Sequence, residues 1–192
     1  ELVSYAQVNN DELDKLDQAV EGYPEVCLTL TGEKHYYAVG SEVPELVQYD
    51  AGLVFDIAKA VSIDELKASS EIIFQAMYMA RAPYLDLFQE AKESALAPEF
   101  SVVRSQEYIF EIMPKGYTKA TALKALSEKL GFTPAEVMAI GDAANDIEML
   151  EFADNSVAMG NATDEVKALC RYETTTNDQA GVAQAIYDYV LK

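Results

Sequence analysis

The feature that most narrows the fold is the rhythm of the chain after Pro114, where short apolar stretches alternate with segments of helical spacing. "VMAIGD", residues 137–142, is apolar through Gly141, the pattern of a strand buried on both faces of a parallel sheet. Ahead of it, "TKATALKALSEKLG" offers Thr118 as N-cap, Leu123, Leu126 and Leu130 at helical spacing, and Gly131 as the stop. "TPAEV" repeats the start signal, with Pro134 at the first helical position. A helix "NDIEMLEFA", a strand "SVAMG", a helix "TDEVKALC" and a closing helix "GVAQAIYDYVLK" follow. This β-α-β-α order predicts an α/β unit built on a parallel sheet.

The first half reads differently. "NNDELDKLDQAVEG" starts with an Asn cap and early acids, sets Leu13, Leu16, Ala19 and Val20 at helical spacing, and closes at Gly22. Strand-like "EVCLTLTG" and "HYYAVG" come next, then a short helix behind Ser62 in "SIDELKASS". The strand "EIIFQAMYMA", the helix "PYLDLFQEAKESAL" and two strands with a turn in "FSVVRSQEYIFEIMP" complete this half. Adjacent strands mixed with alternation predict an α+β unit over residues 1–107 and the α/β unit over residues 108–192.

Charge excludes some functions. With 33 acidic against 14 basic side chains, a net charge of −19 leaves no general basic surface for nucleic acid or an anionic membrane. No apolar run has the length of a membrane span. The opening "ELVSYAQVNNDELDKL" has neither the basic start nor the apolar block of a signal peptide. Cys27 and Cys170 follow no metal spacing and read as two buried or half-buried thiols, which points to the cytoplasm. The lone His35 reads as a surface or strand residue.

Chemistry concentrates where "VMAIGD" gives way to its helix. Asp142 stands at the carboxyl end of the strand, where open parallel sheets bind ligands. Asn145 and Asp146 fall at the start of the following helix, on the same rim. An acid at a helix start serves as a cap. That accounts for one of the three residues, whereas a hard cation with waters, Mg²⁺ above all, accounts for carboxylates held together. Lys119 sits in the first turn of its helix, facing the positive end of the dipole at a cost of up to about 1 kcal/mol. A lysine beside free helix N–H groups suits a phosphate. Lys115, in the turn "MPKGYT", ranks second.

From Lys115 to Ile186, the segment containing "KGYTKATALKALSEKLG" and "GDAANDIEML" closely resembles the C-terminal core of Cof-type sugar-phosphate phosphatases of the haloacid dehalogenase superfamily. The first half resembles, more loosely, their α+β cap. The resemblance implies a partial Rossmann-like parallel core with a cap, and Mg²⁺-dependent hydrolysis of a phosphate monoester through an aspartyl-phosphate. By motif position, Asp142 is then a direct metal ligand and Asp146 holds the metal's waters or makes a contact one layer beyond the metal's own ligands. Asn145 binds the phosphoryl group, and Lys119 neutralises it and orients the nucleophile. Ala120 and Ala143 stand where the family often has Gly.

One departure is larger. The family's nucleophile and general acid form an Asp-x-Asp pair followed by Gly-Thr, and no such motif is present; Asp14, Asp17 and Asp86 end no apolar strand. The resemblance therefore implies a chain that begins inside the cap and is inert alone. A non-catalytic module binding a phosphorylated metabolite is the alternative. The strand "VMAIGD" should lack a neighbour on one edge, to be covered by a homo-oligomeric or swapped contact or by another segment of the chain. Specificity would lie between roughly Tyr36 and Tyr84, with Tyr36, Tyr37, Tyr78 and Arg81 as candidate contacts.

Overall fold

The structure, a computed structural model, describes residues 5–191. The chain folds as two compact units, residues 5–116 and residues 117 onward.

In the first unit, α1 (Asn10–Ala19) is closed by a capping box between Asn9 and Glu12. It is followed by β1 (Cys27–Gly32), β2 (Tyr36–Val39), α2 (Glu45–Leu53) and β3 (Lys59–Val61). Next come α3 (Ile63–Ala68), capped by Ser62, and β4 (Ile73–Met79). α4 (Ala82–Leu96), β5 (Phe100–Gln106) and β6 (Ile109–Pro114) finish the unit. The strands form one sheet in the order β3-β2-β1-β4-β6-β5, antiparallel except for β2 beside β3.

Strand alternation splits this core in two. On one face Leu28, Leu30, Tyr78, Phe110 and Ile112 pack against Leu13 and Leu16 of α1, Leu66 of α3, and Leu85 and Phe88 of α4. On the other, Tyr36, Ala38, Met77, Met79 and Ile109 meet Val47 and Ala51 of α2. Leu16, Leu30, Phe88 and Phe110 are completely buried, each contributing about 1.5–3 kcal/mol. The expected boundary after residue 107 falls instead between Gly116 and Tyr117, because β6 is hydrogen-bonded between β4 and β5. α2 and β3 had no counterpart in the sequence reading: α2 has no side-chain cap and β3 spans three residues.

The second unit begins with α5 (Lys119–Leu130), capped by Thr118 and ended by Gly131 in the left-handed conformation. A 3-10 turn (Pro134–Glu136) leads into β7 (Met138–Gly141), and a second (Ala144–Asp146) runs into α6 (Ile147–Phe152). β8 (Asn155–Ala158), α7 (Asp164–Leu169), β9 (Tyr172–Glu173) and α8 (Gly181–Tyr189) complete it. The three strands are all parallel, in the order β7-β8-β9. Leu150, Ala153, Met159 and Val166 pack on them with Ala139 and Ala158. Among the described residues β7 pairs with β8 alone. Its Ala139 and Gly141 are buried, but Met138 and Ile140 are only half covered, so one face of the strand is incompletely packed where the sequence predicted burial on both.

Candidate functional site

The site is built at the carboxyl end of β7. The chain leaves the strand at Gly141 and tightens into the 3-10 turn, which brings the Asp146 side chain back beneath the strand end. Gly141 is required for that return. A Cβ there would lie 2.6 Å from the Asp146 Cβ and 2.8 Å from its Oδ2. Asp146 is buried, and both its oxygens are engaged. Oδ2 accepts the backbone N–H of Asp142 at 3.0 Å, and Oδ1 receives the Lys119 ammonium at 2.5 Å.

This answers the anomaly at the start of α5. Lys119 opposes its own helix dipole, but a buried anion lies within contact of its ammonium. The lysine side chain is 52% exposed, so the pair adds at most about 1 kcal/mol of stability. Its effect is geometric: the ammonium is held over the rim rather than left to swing into solvent.

Asp142 is fixed from a second direction. The loop from β8 to α7 passes over the strand end. Thr163 donates its N–H to the Asp142 carbonyl at 3.0 Å, and Asn161 donates from Nδ2 to Asp142 Oδ2 at 2.9 Å. The Asn161 amide oxygen accepts the Asn177 N–H at 3.0 Å, tying this loop to the one after β9. Gly160 allows the crossing, since a Cβ there would stand 2.8 Å from the Thr176 nitrogen. Lys119, Ile140, Asp142, Asp146, Met149 and Asn161 line a cavity of about 470 Å³, within the range of small-ligand sites.

The structure thus brings together Lys119, Asp142 and Asp146. Asn145 is exposed on the same turn and does not line the cavity. Lys115 belongs to the first unit, where its ammonium caps the carbonyls of Ala97 at 2.5 Å and Phe100 at 3.3 Å. Asn161 and Thr163 were not anticipated, although "SVAMGNAT" presents the same signal as Asp142, polar residues at the carboxyl end of a parallel strand.

The donor set suits a hard cation by one route. Among the described residues no three His, Cys, Asp or Glu side chains cluster as metal ligands. Both Asp146 oxygens are satisfied by protein donors, so Asp146 is placed to hold its neighbours rather than to ligate. Asp142 has one oxygen on Asn161 and its other oxygen remains for a cation. Mg²⁺ is commonly held by one or two carboxylates with waters and phosphate oxygens, so the residues present fit it.

The candidate contacts of the first unit divide. Tyr78 is completely buried and donates to the Leu16 carbonyl at 3.0 Å. Tyr36 is buried and donates to Asp50 at 2.8 Å, while Tyr108 donates to the other Asp50 oxygen at 3.1 Å. Tyr37 packs in the core. These are structural. Arg81 and Tyr84, at the start of α4, line an open cavity with Glu25 and Glu42. His35 Nε2 lies 2.9 Å from the Lys59 ammonium and, among the described residues, has no acidic hydrogen-bond partner.

Comparison with known proteins is consistent across the chain. Residues 1–186 match the family model described as haloacid dehalogenase-like hydrolase. The chain is similar to the putative phosphatase YxeH of Bacillus subtilis, 29% identical over 192 residues, all of this chain and 70% of that protein. It is 47% identical over 93 residues to the 5-amino-6-(5-phospho-D-ribitylamino)uracil phosphatase YcsE of the same organism, covering 48% of this chain and 37% of that protein. Its fold resembles a haloacid dehalogenase-like hydrolase from Bacteroides thetaiotaomicron with a TM-score of 0.82 at 30% identity, over 96% of this chain and 68% of that one. The matched stretches span from 21% to 70% of the length of these and other curated relatives.

Proposed function

The chain belongs to the haloacid dehalogenase-like hydrolases, and from that premise we propose that it is part of a phosphatase acting on a small phosphate monoester, a sugar phosphate or similar phosphorylated metabolite. One observation carries the reading: the Lys119 ammonium and the Asp142 carboxylate border one cavity, bridged by a buried Asp146. Opposite charges held at one rim match a phosphoryl group and its cation, because in phosphoryl transfer charge spreads over the equatorial oxygens.

In this reading Lys119 neutralises the phosphoryl oxygens, and Asn145, exposed on the same turn as Asp146 and outside the cavity lining, would swing its amide inward to donate to them. Asp146 keeps the lysine from collapsing onto Asp142. Asp142 would hold Mg²⁺, which when bound supplies Lewis-acid polarisation of the phosphoryl oxygens. The attacking carboxylate of an aspartyl-phosphate mechanism is not in these 192 residues, which contain no Asp-x-Asp pair. Nucleophilic catalysis needs that group itself, so this stretch alone does not turn over substrate.

The open edge of β7, the half-covered Met138 and Ile140, and the exposed Val182 and Ile186 of α8 support a further strand docking here, from the same polypeptide or from a second copy. The first unit would act as the cap that selects the leaving group, with Arg81 and Tyr84, which line a cavity of that unit, as its candidate contacts. Among the described residues no helix is long and apolar enough to cross a membrane. The charge of −19 argues against a general basic surface for nucleic acid or an anionic membrane, and a cytoplasmic location is part of the same proposal.

The absence of Asp-x-Asp also favours one second reading, a module that binds a phosphorylated metabolite without cleaving it. A single assay separates them. The 192-residue chain and the product of its full reading frame are each offered a panel of sugar phosphates with and without Mg²⁺. Turnover by the full product alone supports the phosphatase. Binding without turnover in both supports the module. No Mg²⁺-dependent turnover on any substrate overturns the enzyme reading, and turnover by the 192 residues alone overturns the argument about the nucleophile.

A further inference from the structure

We propose that Asn161 is a positioning residue for Asp142, and that it sets the cation preference of the site. The inference rests on the reading of Asp142 as the cation's ligand and adds what that reading leaves open: why a half-exposed carboxylate at a loop should keep one orientation. Asn161 commits both ends of its amide. Nδ2 donates to Asp142 Oδ2 at 2.9 Å, and Oδ1 accepts the Asn177 N–H at 3.0 Å. With Oδ2 engaged, rotation of the carboxylate is restrained and Oδ1 is the oxygen left for a cation.

The loop carrying Asn161 is itself anchored at each end. Met159 N–H donates to the Gly141 carbonyl at 3.0 Å, and Gly160 N–H donates to the Thr175 carbonyl at 3.1 Å. The Lys167 ammonium donates to the Gly160 carbonyl at 2.9 Å. Thr163 N–H returns to the Asp142 carbonyl. Asn161 is therefore presented from a fixed backbone, as a side chain that aims another side chain requires. Mg²⁺ demands near-ideal octahedral geometry, whereas Ca²⁺ accepts more ligands in looser arrangements. A carboxylate held by a neutral amide on a rigid loop favours the smaller, stricter ion. Once freed, it discriminates less.

The test is calorimetric titration of Mg²⁺ and of Ca²⁺ into the product of the full reading frame, for wild type, Asn161→Ala and Lys167→Met. Loss of such an outer-sphere contact lowers metal affinity about 10–100-fold. Asn161→Ala should lose that much for Mg²⁺ and distinctly less for Ca²⁺, so the Mg²⁺/Ca²⁺ ratio falls. Lys167→Met removes one of several loop anchors without touching Asp142, and with the backbone bonds of Met159, Gly160 and Thr163 intact the ratio should fall distinctly less than in Asn161→Ala. Equal losses for the two ions in Asn161→Ala, or the same fall in ratio in Lys167→Met, would show a general loop effect and overturn the inference. So would an Asn161→Ala protein that binds both ions like wild type. Wild type that binds neither ion overturns the reading of Asp142 first, and this inference with it.

Discussion

Gly141→Ala is the sharpest single perturbation of the site, because it adds one methyl group where the structure leaves no room. The new Cβ would stand 2.6 Å from the Asp146 Cβ, 2.9 Å from its Cγ and 2.8 Å from Oδ2. Asp146 is buried and cannot move into solvent without dragging its turn. Overpacking of this kind costs about 1–3 kcal/mol. Gly141 does not lie in the left-handed region, so alanine fits its backbone and recovers about 0.4–1 kcal/mol through the unfolded chain. At mid-range the net loss is about 1.3 kcal/mol, a factor of roughly 10 in local opening. Amide hydrogen exchange along the β7–β8 ladder reads it directly: amides such as Ile140 and Val157 should exchange faster by that factor, and those of the first unit's sheet should not change. In an Asp146→Ala background the Cβ–Cβ approach persists, so part of the penalty should remain. Unchanged or slower exchange in Gly141→Ala, or full relief in the double variant, would refute the steric argument.

Four further outcomes follow from the structure. In the product of the full reading frame, Lys119→Met should lower turnover about 10²–10³-fold, the usual result of deleting one preorganised electrostatic contact, and Asp142→Ala should abolish the response to added Mg²⁺; steady-state kinetics decide both. Burial raises the hydroxyl pKa of Tyr36, with Asp50 adding to the effect, and burial does the same for Tyr78. Above pH 10 the unfolded chain releases these protons first, so stability present below that pH should fall by about 1.4 kcal/mol per pH unit for each tyrosine. Urea titrations from pH 9 to 11 measure the slope, and Tyr36→Phe should remove its share. Burial pushes the Cys27 thiol up to about 11, so thiol labelling at pH 8 should be slow in the native protein and rapid after unfolding, with Cys170 labelled sooner than Cys27.

What the sequence revealed of the fold follows a physical line. Elements with local signals were readable. Asn9, Ser62 and Thr118 each cap the helix their side chain predicts, and Gly131 ends α5 in the one conformation that favours glycine. α2 has no such signal. Pro44 precedes it without a side-chain hydrogen bond, and what holds it is non-local: Val47 and Ala51 against β2 and β4, and Asp50 receiving the hydroxyls of Tyr36 and Tyr108. The boundary between units was misplaced for a similar reason. The change of rhythm occurs near residue 107, but ladder hydrogen bonds carry β6 into the first sheet.

The site shows the same division at finer scale. Asp142 and Lys119 stand out because each breaks a local expectation, an acid crowded at a strand end and a cation at the positive end of a dipole, and Asp146 stands out only through its closeness to Asp142. Nothing local announced that Asp146 would serve as the hinge of the group. That role depends on Gly141 leaving space for its return and on a helix start 27 residues earlier supplying the ammonium. Ala120, beside that lysine, illustrates the cost of reading motifs without packing. It stands where the resemblance expects glycine, yet it is buried at the first turn of α5. There a methyl group fills space and alanine is the stronger helix former, by roughly 1 kcal/mol over glycine. The departure therefore stiffens the helix start that carries Lys119, while the polar groups that face the cavity are unchanged by it.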